Sequence, residues 1–119
     1  MILAHPKTLL RLEGAVVAAA AIILYARTDQ SWVRFVLLLL APDLAIIGYL
    51  AGAAAGAATY NLVHTYVLPV LLAGAGFIAN SPLVVSLALI WATHIGADRA
   101  LGFGLKYPTA FRETHLQHV

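Results

Sequence analysis

Residues 80–102 read NSPLVVSLALIWATHIGADRALG, and this stretch carries both the fold class and the chemistry of the chain. Ser81 suits a helix N-cap, Pro82 the first helical position, where its missing N–H is no loss, and Gly102 a helix end. Between them lie roughly 20 mostly apolar residues, which at about 1.5 Å per residue cross a hydrocarbon core of roughly 30 Å. The same stretch sets His94, Asp98 and Arg99 at membrane depth. An ionisable side chain there is costly, so it is paired or functional.

Working outward, three more apolar segments of similar length precede it. Spans are expected at about 9–26, 32–52, 56–79 and 82–102. They predict a single transmembrane domain over 1–119, an all-α integral membrane four-helix bundle with up-down-up-down topology. The polar C-terminal tail 105–119, with Lys106, Arg112, Glu113, His115 and His118, is expected at the membrane surface.

Composition agrees. The 119 residues are 62% hydrophobic and 10% charged, with a mean hydropathy of +0.90. A soluble domain carries about a quarter charged residues to cover its water-facing surface. The absence of cysteine removes disulfides, iron–sulfur clusters and thiolate chemistry. The net charge of +2 comes from dispersed basic residues, which excludes nucleic acid as a partner. Residues 1–8 lack a basic region leading to a cleavage site, so no removable signal peptide is expected.

Within the spans, Pro42-Asp43 predicts a kink. Gly48, Gly52 and Gly56, four residues apart, either let backbones approach closely in lipid or loosen a turn. Lys7, Arg11, Arg99, Lys106 and Arg112 flank the termini, against Arg27 and Arg34 in the first loop. The larger basic count places both termini in the cytoplasm of a multi-pass bacterial inner-membrane protein. Trp32, Trp91, Tyr25, Tyr66 and Tyr107 read as interface anchors or packing residues, and His5, His115 and His118 as solvated terminal residues. His115 would matter only if the tail folded back under the bundle.

The polar residues at membrane depth are Glu13, Asp43, Asn61, His64, His94, Asp98 and Arg99. Counted from the span ends at about 1.5 Å per residue, Asp43 lies roughly 13 Å deep and His64 and His94 roughly 12 Å. Three spans thus bring ligand-type side chains to one level. Imidazole with carboxylate suits a divalent metal such as zinc, iron or manganese. His94 and Asp98 at i, i+4 share a helical face, and Asn61, three residues before His64, is placed to orient that ring. The alternative is a buried polar network, with Arg99 neutralising Asp98 and Arg11 or Arg99 neutralising Glu13. If the bundle is up-down-up-down, all seven residues should point into the cytoplasmic half of one cavity. His64 and His94 would then bring a ring nitrogen within about 7 Å of an Asp43 carboxylate oxygen.

Arg11-Leu12-Glu13-Gly14, Ala41-Pro42-Asp43-Leu44, Gly48-Tyr49-Leu50-Ala51-Gly52, Tyr60-Asn61-Leu62-Val63-His64-Thr65-Tyr66 and the run from His94 to Tyr107 together resemble a family of small bacterial membrane proteins, domain of unknown function 4260. The resemblance covers nearly the whole chain and implies an inner-membrane helical protein without an established activity. The order Pro-Asp, Asn-x-x-His, His-x-x-x-Asp is also similar to membrane-bound metal-dependent hydrolases related to zinc phospholipases. That similarity implies Asp43, His64, His94 and Asp98 as ligands, although the doubled His-Arg and Thr-His elements of that group are missing here.

Three functions follow as expectations. The first is a metal-dependent enzyme on a lipid-like or small-molecule, membrane-partitioned substrate. Asp43, His64 and His94 would hold the metal, Asp98 would be a fourth ligand or proton carrier, Glu13 the general base, and Arg99 the anion-binding group. The second is a b-type haem protein with His64 and His94 as opposed axial ligands. The third is a non-catalytic structural or transport subunit whose polar residues form a proton or ion path, and a transporter of this size would need to form a homo-oligomer. Membrane lipids are expected partners in every case.

Overall fold

The structure, a computed structural model, describes residues 5–104, apart from the side chains of 45–47 and 49. The tail 105–119 lies outside the described residues. The chain is all-helical among the described residues: α1 (Pro6–Ala26), α2 (Trp32–Leu38), a 3-10 segment (Ala41–Ala51), α3 (Ala53–His64), α4 (Val67–Ile78) and α5 (Pro82–Leu101). Three stretches are long and apolar enough to cross a membrane: Pro6–Ala26, Ala53–Ile78 and Pro82–Leu101. Their outward faces are apolar, with Val16, Ile23, Leu71 and Phe77 among the exposed side chains. Water would penalise such a surface, whereas a bilayer does not.

The stretch expected as the second span, about 32–52, is not one α-helix. Pro42 has no N–H to donate to the carbonyl one turn back. The chain tightens there instead, and the Asp43 N–H bonds to the Leu40 carbonyl three residues earlier at 3.0 Å. The expected third span is interrupted too, at Thr65, whose φ of −102° and ψ of 152° are extended. Pro69 then sits in the first turn of α4, where a missing N–H costs nothing. The expected four-helix bundle is therefore modified: α-helical spans are combined with a broken element, with one break at Pro42 and another at Thr65, four residues before Pro69.

The ends of α5 are as the sequence predicts. Ser81 Oγ accepts from the Val84 N–H at 3.3 Å, and Gly102 closes the helix in the left-handed conformation at φ 96°.

α1 packs antiparallel on α5. Arg11 Nε donates to the Ala100 carbonyl at 2.9 Å, and further along the pair Gly14 meets Gly96 and Arg99. The backbones approach so closely that a Cβ on Gly96 would stand 2.6 Å from the Gly14 carbonyl oxygen and 2.7 Å from the Ala18 nitrogen. At the other end, Tyr25, Phe35 and Ile90 form a buried cluster. The Tyr25 ring meets Trp32 and Phe35 edge-on at centroid distances of 5.0 and 4.9 Å, so both aromatics pack there.

Of the Gly48, Gly52 and Gly56 series, Gly48 abuts Thr59 and Gly56 is buried, while Gly52 turns the chain at φ 118° with open space around it. Gly14 and Gly96, outside that series, bring the backbones of α1 and α5 together. Gly96→Val should therefore destabilise the fold by roughly 1–3 kcal/mol, because the atoms it meets are backbone and cannot rotate away. Gly74→Ala, with nothing within 4 Å of the new methyl, should be neutral or stabilise by up to about 1 kcal/mol. Thermal unfolding of both variants in detergent checks the contrast, and equal melting temperatures would contradict the crossing.

Candidate metal centre

Four side chains from three elements converge between α5, the end of α3 and the 3-10 segment. His64 is the last residue of α3, His94 and Asp98 lie one turn apart on α5, and Asp43 follows the proline of the 3-10 segment. His64 and His94 are buried. The Asp98 side chain is 20% exposed and that of Asp43 42%, so the group is closed on the histidine side and open at Asp43.

The contact distances are short. His64 Nε2 lies 3.1 Å from His94 Nε2, 3.2 Å from Asp43 Oδ1 and 3.6 Å from Asp98 Oδ2. His94 Nε2 lies 3.1 Å from Asp43 Oδ1 and 3.2 Å from Asp98 Oδ2. All four ligand atoms fall within 4.8 Å of one another, well inside the separation of about 7 Å expected from the sequence.

The other ring nitrogens decide what these contacts mean. His64 Nδ1 donates to the Tyr60 carbonyl at 2.9 Å, and His94 Nδ1 donates to the Leu39 carbonyl at 2.6 Å. A carbonyl can only accept, so in each neutral ring the proton resides on Nδ1 and Nε2 presents a lone pair. Two imidazole lone pairs and two carboxylate oxygens then face one point. Such a set repels itself unless a cation, or protons, sits in the middle.

A cation fits. Ligand bonds of about 2.0–2.1 Å in a tetrahedron put ligand atoms about 3.3–3.4 Å apart. The separations involving the two histidines, 3.1–3.6 Å, bracket that value. The two carboxylates are acceptors of like charge, and a shared cation would draw them together. The donor set of two imidazoles and two carboxylates is one that zinc, iron or manganese accepts.

The surrounding side chains hold the group in place. The Tyr60 ring stacks on His64 at 3.7 Å between centroids and 5° between planes. Trp91 Nε1 donates to the Val63 carbonyl at 2.6 Å, and Arg99 Nη2 donates to the His64 carbonyl at 3.1 Å. Both carbonyls end α3, where no further turn supplies a donor. Arg99 also lies over the Tyr66 ring, 5.7 Å from its centroid. Asn61 is half-buried on α3, one turn before His64.

Glu13 is placed differently. Its neighbour Gly14 faces α5 while Glu13 itself is exposed, in a shallow apolar pocket with Leu9, Leu12 and Tyr66. It is not a member of the four-residue group.

Sequence reading missed the carbonyls of Tyr60 and Leu39 as the partners of the two rings. It also gave Trp91 only an anchoring or packing part. The one available signal was Pro42, since a missing N–H alters the bonding of the carbonyls before it.

The arrangement does not fit bis-histidine haem. Axial nitrogens on opposite faces of an iron need the macrocycle between them, yet Asp43 and Asp98 oxygens stand 3.1–3.6 Å from both Nε2 atoms, where the ring would lie.

The chain belongs to the family described as domain of unknown function (DUF4260), whose sequence pattern matches residues 7–119. Comparison with curated proteins and with solved structures gave no match.

Because both Nε2 atoms must be unprotonated and both carboxylates ionised to hold a cation, protons compete with it. Lowering the pH from 7 to 5 should therefore weaken zinc binding by at least about tenfold, as protons take the imidazole lone pairs. Competition against a chelator at the two pH values measures this. An affinity unchanged between them would rule out histidine ligation.

Proposed function

We propose that this DUF4260 protein is a membrane-embedded metalloprotein that holds one divalent metal ion, zinc by preference, between Asp43, His64, His94 and Asp98. The ion serves hydrolysis of a membrane-partitioned substrate. The observation that carries the reading is the set of 3.1–3.6 Å separations among Nε2 and carboxylate atoms whose lone pairs all point inward.

A bound divalent cation supplies Lewis acidity and a nucleophilic water near neutral pH. The residues divide the remaining work. His64 and His94, buried and each tied through Nδ1 to a backbone carbonyl, are the fixed ligands. Asp43, carried on the 3-10 segment rather than on an α-helix, would be the ligand on the side of the group that is open to a substrate. Asp98 stands 3.2 Å from His94 Nε2 and would serve as the fourth ligand or as a proton carrier. With Glu13 outside the group, the carboxylates of the cluster assume the base role. Arg99, beside the site at the His64 carbonyl, supplies positive charge for an anionic part of a substrate.

The apolar outer surface supports residence in a bilayer. Lys7, Arg11 and Arg99, grouped by the antiparallel pairing of α1 with α5, support an inner-membrane orientation with that end in the cytoplasm.

Elemental analysis of detergent-purified protein tests the proposal. One equivalent of metal per chain is expected in the wild type, with loss of at least about nine-tenths of it in a His64→Ala, His94→Ala double variant that removes both fixed ligands. The same trace of metal in both proteins would refute the site.

A further inference from the structure

An apolar groove of about 280 Å³ lies beside the metal centre, walled by Leu38, Pro42, Val63, Leu87, Ile90 and Trp91. Its wall residues neighbour three of the ligands along the chain. Pro42 precedes Asp43, Val63 precedes His64, and Ile90 and Trp91 lie one turn before His94 on the face that His94 shares. Ile90 and Trp91 thus set one wall of the groove a helical turn from His94, and Pro42 joins another to Asp43, whose side chain is 42% exposed.

Apart from Trp91, the wall side chains carry no polar group, and the indole N–H is already spent on the Val63 carbonyl. A sugar or peptide lying there would leave its own hydrogen bonds unmade, at a cost of about 1–3 kcal/mol for each buried group. The body of the occupant must be hydrocarbon. Leu38 on the rim is continuous with Leu37 and Leu40, which are 73% and 66% exposed on the outer apolar surface. The groove thus opens onto the surface that faces bilayer chains. Its volume is just under the range of about 300–1,000 Å³ typical of pockets for whole drug-sized ligands, which suits one narrow chain.

We infer that the groove holds a single acyl chain of a membrane lipid, with the chain's carbonyl end at the metal centre beside Asp43. This rests on the metal reading above and gives its substrate class: an acyl-bearing lipid approaching sideways from the bilayer. Trp91 fixes the wall of the groove and is a positioning residue.

The chain has two tryptophans, so a Trp32→Phe variant leaves Trp91 as the sole fluorophore. That protein, loaded with zinc in maltoside micelles, is titrated with a phospholipid brominated along its acyl chains, because bromine quenches a tryptophan it touches. Quenching should saturate near one probe per chain. Ala41→Phe, which fills the groove from its exposed rim, should raise the midpoint by at least about tenfold while zinc content is retained. Val63→Phe, filling it from another wall, should do the same. His94→Ala, which removes a fixed ligand, should weaken the probe by about tenfold through loss of its carbonyl contact. Quenching that rises only in proportion to the probe's share of the micelle, or is unchanged in both Phe variants, overturns the groove as a chain site while zinc content still reports on the metal reading. Saturable quenching in wild-type protein that takes up no zinc overturns the metal reading, and with it the placement of the carbonyl end.

Discussion

The structure depends on satisfying backbone carbonyls where helices break inside an apolar chain. In lipid no water can bond them, and each one left bare costs several kcal/mol. Two breaks occur, beside Pro42 and ahead of Pro69, and α5 answers both with side chains. His94 bonds the Leu39 carbonyl, Trp91 the Val63 carbonyl and Arg99 the His64 carbonyl. These three residues recur along a continuous helix that Ser81 and Gly102 cap at its two ends. α5 is thus both a lipid-length span and the rod on which the broken elements are hung.

The chemistry follows from that arrangement. Each carbonyl that claims an Nδ1 proton turns the opposite nitrogen into a lone pair directed at the centre. The Leu39 carbonyl is available because the Asp43 N–H bonds three residues back, to Leu40, and not four back to Leu39, and the same tightened turn carries the Asp43 carboxylate to both histidines. One proline therefore accounts for a ligand and for the orientation of another. His64 is held at a helix terminus, stacked on the Tyr60 ring and bonded through Nδ1 to the Tyr60 carbonyl. A network of four acceptors assembled this way is a poor source of stability without a cation or protons at its centre.

Much of this was legible in the sequence, and the rest was hidden for identifiable reasons. The caps of α5 were readable because Ser, Pro and Gly act locally. The levels of His64 and His94 were readable because a fixed rise per residue converts position on an α-helix into depth, whereas Asp43 joins them from a 3-10 segment to which that count does not apply. Azimuth was not readable in the same way. Glu13 lies at a plausible depth, but successive helical residues point about 100° apart, and the close packing of Gly14 on Gly96 turns Glu13 outward. That crossing is made by glycines far apart in the chain, with no local spacing to announce it, whereas the regular series from Gly48 to Gly56 drew attention to itself. Pro42 announced a disturbance without revealing that the turn after it would tighten into a 3-10 segment. The partners of the imidazoles are backbone carbonyls, which every residue possesses and no motif encodes.

The central claim is that two imidazoles and two carboxylates surround one metal ion within the membrane-embedded fold. X-ray absorption at the zinc edge, on detergent-purified protein, tests it most directly because it reads the ligands themselves. The account predicts a first shell of nitrogen and oxygen at about 2.0–2.2 Å with the outer scattering of two imidazole rings. An oxygen-only shell without imidazole scattering, or a spectrum identical in a His64→Ala variant, would contradict it.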